Sequence, residues 1–452
     1  MECRSRLFVM ITRVTMMLLF GFGCAASLNA QFLVPDREYR CPPSDHGCKS
    51  PHNLSSFETR TTPRGNSFST NFVEYNDKGK LWNPVELSDA LSQVRQARGA
   101  NNSQGVLLVV YIHGWQNNAD ETLGACNDVC RFRDTLLARL ADAQAVNGKP
   151  LKVVGIYLAW RGLTFTLEPF KHVISYWPRR SIARHVGQTG MFEALSQIES
   201  VVGESRKNYV VVLAGHSFGA RVLENAAETR GKKGVGFMVG YRNRLKTVAQ
   251  NHAESVMPMS QEALKLNPSL PADLIVYINA ATASTVTRKT IKDIRDTCTK
   301  VPSAPICDAD PLYLAVTSHA DLATGIIMPI ANLVFPALTS DGLHLLSAAN
   351  TPWMHTHSDP KPGCAPGSNV CFDVTTREKL IVESIQRVEH NEQLPGKAND
   401  PAWIFNVPKN VMNSHGDVWN ESVTDLVTKV ILSRRQFQVL SANLEKLTAQ
   451  AN

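Results

Sequence analysis

The stretch Tyr209 to Ala220 reads Tyr-Val-Val-Val-Leu-Ala-Gly-His-Ser-Phe-Gly-Ala, which sets a serine between two glycines at the end of an apolar run. A hydroxyl is a weak nucleophile near neutral pH. It becomes effective when an imidazole takes its proton and a carboxylate fixes that imidazole's tautomer. The chemistry to look for is acyl transfer, with Ser217 attacking a carbonyl and a histidine and an acid arriving from elsewhere in the chain. Gly215 and Gly219 suit a turn so tight that side chains there would meet the strand and helix backbones. The β-branched run before the serine suits a buried parallel strand, and Ala220, Leu223 and Ala227 behind it recur at helical spacing. Ser217 is therefore expected at a strand-to-helix turn, with a helix N-terminus directed at a developing oxyanion.

A second apolar run, Val106 to Ile112, ends in His113-Gly114-Trp115-Gln116-Asn117-Asn118. An N–H just beyond such a strand can complete an oxyanion hole together with the N–H of the residue after the nucleophile. That reading assigns the backbones of Trp115 and Phe218 as donors; the plainer one makes this an ordinary strand-ending turn with His113 a structural hydrogen bonder. Further strands are expected at Phe72 to Tyr75, Val153 to Leu158, Leu274 to Ala280, Leu312 to Thr317 and Trp403 to Val407. Helical spacing marks Val85 to Ala97, the face Val129, Phe132, Leu136 and Leu140, the segment Met191 to Val202, and a closing stripe of Val423, Leu426, Val427, Val430 and Ile431. This alternation predicts an α/β fold. The aromatic-rich segment from Thr164 to Trp177 reads either as a lid or substrate wall or as core packing. Basic Arg230 to Arg244 reads as a surface loop or as a contact for anionic lipid.

Strands that end in Ile-His-Gly-Trp and Gly-His-Ser-Phe-Gly make this chain resemble the α/β-hydrolase superfamily, and more loosely the exported bacterial hydrolases of uncertain substrate. The resemblance runs from Phe72 to Leu432. It implies a mostly parallel sheet of about eight strands with helices on both faces, and a triad in the chain order serine, acid, histidine. On that pattern Asp321, just past the end of a strand, is the acid, ahead of Asp310 and Asp341; its alternative role is a helix N-cap. His415, between the last strand and the last helix, is the base, ahead of His319, His344, His355 and His357. The implied activity is that of a serine hydrolase cleaving a carboxylic ester through an acyl-enzyme on Ser217, without metal or organic cofactor. A thioesterase, peptidase or acyltransferase would share the triad. The alternative of another class is a catalytically silent scaffold that serves as a binding or surface protein.

A hydrophobic content of 43% with 19% charged residues is that of a globular protein, which excludes a disordered or membrane-embedded chain. The net charge of +7 is spread along the sequence and does not point to nucleic acid. Arg4, Arg6 and Arg13 lead into the short apolar run Val14 to Phe22, so residues 1–30 read as an export signal. Cleavage after Ala26 or Ala30 would release a soluble protein, whereas lipid on Cys24, within Gly23-Cys24-Ala25, would hold it at a membrane surface.

Setting aside Cys3 and Cys24, the cysteines fall into the local pairs Cys41/Cys48, Cys126/Cys130, Cys298/Cys307 and Cys364/Cys371, which read as disulfides in an exported protein. Cys126/Cys130 is the least favourable, because that spacing inside a helix gives poor disulfide geometry; zinc would need further ligands that do not accompany it. Residues 31–65, rich in Pro, Ser, Asn and charge, are expected to be a solvated tether with one disulfide loop and little regular structure. Residues 66–452 are expected to form one domain with insertions near 164–180, 230–270 and 351–372.

Overall fold

The computed structural model describes residues 34–99, 105–122, 126–146, 151–163, 171–203, 208–229, 272–282, 287, 313–318, 320–328 and 402–432. The strands are β1 (Arg40–Cys41), β2 (Leu54–Ser55), β3 (Phe57–Thr61), β4 (Ser67–Tyr75), β5 (Val106–Ile112), β6 (Lys152–Trp160), β7 (Tyr209–His216), β8 (Leu274–Ile278), β9 (Tyr313–Ser318) and β10 (Ala402–Val407). Eight of them form one sheet in the order β10-β9-β8-β7-β5-β6-β4-β3. All its pairings are parallel except that of β3 with β4.

Continuous apolar strands are what a sheet covered on both faces requires. Along β5, Val106, Leu108, Val110 and Ile112 enter one core, and Leu107, Val109 and Tyr111 enter the other. The first core is closed by α1 (Pro84–Gln96), α3 (Lys171–Val186), α4 (Phe192–Gly203) and α5 (Phe218–Thr229). The second is closed by α2, which runs from Asp128–Cys130 through a π-helical stretch at Arg131–Leu137 into Ala138–Val146, and by α6 (Glu421–Leu432). Helix α1 starts where Asn83 accepts the Val85 N–H at 3.1 Å and Pro84 takes the first helical position, where its missing N–H costs nothing.

The N-terminal segment departs from the tether expected for residues 31–65. Its described part is folded onto the sheet: β1 pairs with β2, and β3 supplies the antiparallel edge. The cause lies in two buried ionisable side chains whose partners are distant in sequence. Glu74 accepts the N–H groups of Tyr39 and Arg40 at 3.0 and 2.7 Å. Arg40 is fully buried, stacked 3.5 Å over the Phe72 ring, bonded to Ala119 O and paired with Glu58 at 2.7 Å. A buried arginine needs such satisfaction, and this satisfaction orders the segment.

Three details of the sequence reading take definite form. Strand β4 begins at Ser67, well before Phe72, because Thr70 and Asn71 interrupt the apolar pattern yet are buried between neighbouring strands, with Asn71 Nδ2 donating to Gly155 O at 3.2 Å. Within the insertion expected near 164–180, the described residues from Lys171 onward form α3, which buries Tyr176, Ala183 and Val186 in the core. Cys126 and Cys130 are bridged, with Cα atoms 5.2 Å apart. Cys126 precedes the N-cap Asn127, so the pair straddles a helix start and the poor geometry of an intrahelical pair does not apply. Cys41 and Cys48 are bridged as well. The pairs Cys298/Cys307 and Cys364/Cys371, the basic loop and the insertions near 230–270 and 351–372 lie outside the described residues.

Candidate active site

Ser217 follows β7 directly and has φ 53°, a left-handed conformation unusual for a residue with a side chain. The neighbouring strand holds it there. Ser217 N–H donates to Ile278 O and Ser217 O accepts from Ala281 N–H, both at 3.1 Å. The flanking glycines are required by close approach: a Cβ on Gly219 would stand 2.0 Å from Ile112 O, and one on Gly215 2.7 Å from Ala220 Cα.

Two segments from far along the chain then meet the serine. His415 Nε2 lies 2.7 Å from Ser217 Oγ, and His415 Nδ1 lies 2.9 Å from Asp321 Oδ1. Ser217 and Asp321 are buried, while the His415 side chain remains 20% exposed, so the relay opens toward solvent at its imidazole. Burial pushes the Asp321 carboxyl up, but electrostatic attraction to the His415 ring, its hydrogen bond and those of Thr324 outweigh this, and the net shift is below the ordinary carboxylate value. An ionised carboxylate only accepts, so His415 carries its proton on Nδ1 and offers the Nε2 lone pair to the serine hydroxyl. The two readings of Asp321 coincide: its Oδ1 also accepts from Ala323 N and Thr324 N at 2.9 and 3.1 Å, capping the π-helical turn Ala323–Ile327.

The opposite side of the serine is built from the β5 end and the start of α5. Phe218 is the first residue of α5, whose opening N–H groups find no carbonyl within the helix. Trp115 packs beside it, with ring centroids 6.1 Å apart and both rings against Tyr176. In the same loop Gln116 N–H is committed to Gly162 O. His113 is fully buried and structural: it accepts from Trp160 N at 3.0 Å, its Nδ1 meets Gly114 O at 2.9 Å, and its own carbonyl accepts from the Trp160 indole. Burial lowers its pKa to about 4, against the two hydrogen bonds that raise it.

All five residues singled out from the sequence therefore gather here: Ser217, His415 and Asp321 in one hydrogen-bonded line, Trp115 and Phe218 packed side by side. The competing Asp310, Asp341, His319, His344, His355 and His357 lie outside the described residues. Three neighbours of the relay were missed. Gly114 packs directly on Ser217, His216 Nε2 lies 2.9 Å from His415 O, and Asn279 Nδ2 lies at the same distance from that oxygen. The available signal was Asn279 itself, a lone amide closing an apolar strand at the sheet end that carries Ser217 and Asp321.

Among the described residues no cluster of His, Cys, Asp and Glu could hold a metal ion, and no helix is long and apolar enough to cross a membrane. Compared with models of known families and with curated proteins, the sequence matches none.

Proposed function

We propose that this protein is a serine hydrolase of α/β-hydrolase fold that cleaves carboxylic esters through an acyl-enzyme on Ser217. The observation that carries this reading is the Ser217–His415–Asp321 line, with its separations of 2.7 and 2.9 Å and a tautomer suited to proton abstraction from the hydroxyl. His415 takes the Ser217 proton as Oγ attacks the carbonyl. The N–H groups of Phe218 and Trp115 receive the oxyanion, and His415 then protonates the leaving alcohol. Water activated by the same imidazole releases the acid. Asp321 stays ionised throughout and stabilises the imidazolium.

The mostly parallel sheet and the chain order serine, acid, histidine support this assignment. The bridges Cys41–Cys48 and Cys126–Cys130 favour an oxidising compartment, in keeping with export by residues 1–30. The mass of the mature N-terminus separates lipid-bearing Cys24 from release after Ala26 or Ala30.

Labelling with a fluorophosphonate tests the function. The wild-type protein should be labelled and should hydrolyse short p-nitrophenyl esters, and Ser217→Ala should do neither while keeping its far-UV circular dichroism. A folded wild-type protein that resists labelling would be a binding scaffold and not a hydrolase.

A further inference from the structure

We infer that Asn279 and His216 are positioning residues that hold the His415 imidazole by gripping its main-chain carbonyl. The inference rests on the hydrolase reading only for its kinetic consequence; the grip itself is geometric. His415 sits on the connection between β10 and α6, a segment without regular structure, and its ring must keep Nε2 against Ser217 and Nδ1 against Asp321. Side-chain torsions alone do not fix a ring whose backbone can shift, and a displacement of about 1 Å at a reacting group lowers a rate by about a hundredfold. The carbonyl of His415 is the natural place to anchor that backbone.

Two donors converge on it. His216 Nε2 lies 2.9 Å away, and because a carbonyl only accepts, Nε2 must carry the proton. His216 Nδ1 is then an unprotonated nitrogen, buried and without a hydrogen-bond partner among the described residues. The ring thus directs its one N–H at His415. The second donor is Asn279 Nδ2, 2.9 Å from His415 O and 3.3 Å from Ser414 O. Asn279 is fully buried with φ 45°, a conformation asparagine tolerates better than most residues.

Asn279 also ties the relay together. Its Oδ1 accepts from Ser318 N at 3.0 Å, and Ser318 lies three residues before Asp321. Ser318 Oγ in turn donates to Met412 O at the start of the base loop. On either side of Asn279, Ile278 O and Ala281 N–H hold the backbone of Ser217. One amide at the end of β8 therefore joins the segments that carry nucleophile, acid and base.

The test compares variants that keep or remove each donor. Asn279→Asp keeps size and backbone preference but turns an oxygen toward the carbonyls; His216→Leu removes its donor, and His216→Gln restores an N–H. With the purified full chain and p-nitrophenyl butyrate, Asn279→Asp and His216→Leu should each lower kcat about tenfold to a hundredfold with KM nearly unchanged, and His216→Gln should recover most of it. A readout that needs no turnover is the low-field proton resonance of His415 Nδ1–H in the Ser217→Ala background, which should broaden or shift with Asn279→Asp and His216→Leu and persist with His216→Gln. If Asn279→Asp fails to fold, the His216 pair decides alone. Unchanged kcat together with an unchanged resonance overturns the inference, as does a rise in KM at constant kcat. A wild-type protein that hydrolyses nothing, yet shows the resonance and its loss in these variants, upholds the grip and removes the hydrolase reading.

Discussion

Gly114 and Ser217 are packed so closely that a Cβ on the glycine would stand 2.8 Å from the serine Cβ and 2.7 Å from His216 Nδ1. The β5 end and the elbow are thus in backbone-level contact. Gly114→Ala should push the serine away from His415 and widen the gap between Trp115 and Phe218. The expected result is a fall in kcat/KM of about a hundredfold or more, with a stability cost of about 1–3 kcal/mol, measured by ester hydrolysis and urea unfolding. Wild-type activity in this variant would mean that the His-Gly turn is not part of the reaction centre.

The proton relay predicts unequal losses. Asp321→Asn keeps the shape but no longer enforces the Nδ1–H tautomer, and kcat should fall by about ten-thousandfold; His415→Ala should fall at least as far. Because Asp321 also accepts from Ala323 and Thr324, Asp321→Asn should in addition lower the melting temperature, which His415→Ala should not. Damage from His319→Ala or His357→Ala in place of His415→Ala would reassign the base.

Among the described residues, buried histidines and buried carboxyls give stability a pH dependence of mixed sign. Burial holds His113 neutral down to about pH 4, whereas in the unfolded chain it takes a proton below about 6.5. The unfolded state therefore binds more protons between these values, and His113 removes about 3 kcal/mol of stability as pH falls through that window. His216, lowered to about 3 by burial and by His415, acts in the same direction. Burial raises Asp128 to about 6 and Glu74 to about 8, so these groups favour the native state at low pH and oppose the histidines. A comparison isolates the term: the stability advantage of wild type over His113→Asn should shrink by about 3 kcal/mol between pH 7 and pH 4 in urea titrations.

The bridge at the start of α2 encloses a short loop, and short loops gain least from cross-linking. Replacing Cys126 and Cys130 together by serine should cost about 2 kcal/mol of unfolding free energy and leave ester hydrolysis intact. A much larger loss would show that the bridge also holds the adjoining loop in place.

At the other end of the sheet, the N-terminal segment should behave as part of the fold. Arg40→Ala breaks a buried network and should cost about 3–5 kcal/mol, and a chain beginning at Ser67 should lose cooperative unfolding in calorimetry. Tolerance of both changes would return the segment to the status of a tether.

Much of this arrangement was legible because local pattern and local structure agree. Val106 to Ile112 and Tyr209 to Leu213 are apolar without interruption, and each lies in a strand whose end carries a residue of the site. Asp321 and His415 were singled out by setting the order of strands and helices against the resemblance to the α/β-hydrolase superfamily, and the structure brings both to Ser217. What was not legible depends on distant partners. Arg40 reads as a solvated charge until Phe72, Glu58 and Ala119 stand around it. Asn279 reads as a strand end until Ser318 and His415 approach from far along the chain. Periodicity reports which face of an element is buried; it does not report which backbone carbonyl a side chain will reach.

The last strand and the segment after it have a temporal consequence. Strand β10 takes the outer edge of the sheet, in register with β9 from Ala402 against Tyr313 to Val407 against Ser318, and His415 follows it. Chains emerge from synthesis or translocation N-terminus first, so Ser217 is made long before its base. A chain that has docked every strand but the last holds Ser217 without the His415 imidazole that lies 2.7 Å from it in the folded protein. If the protein is the ester hydrolase proposed above, its reactivity toward esters would begin only when the last strand has docked, and a partly folded chain would spare the esters of the cell that makes it.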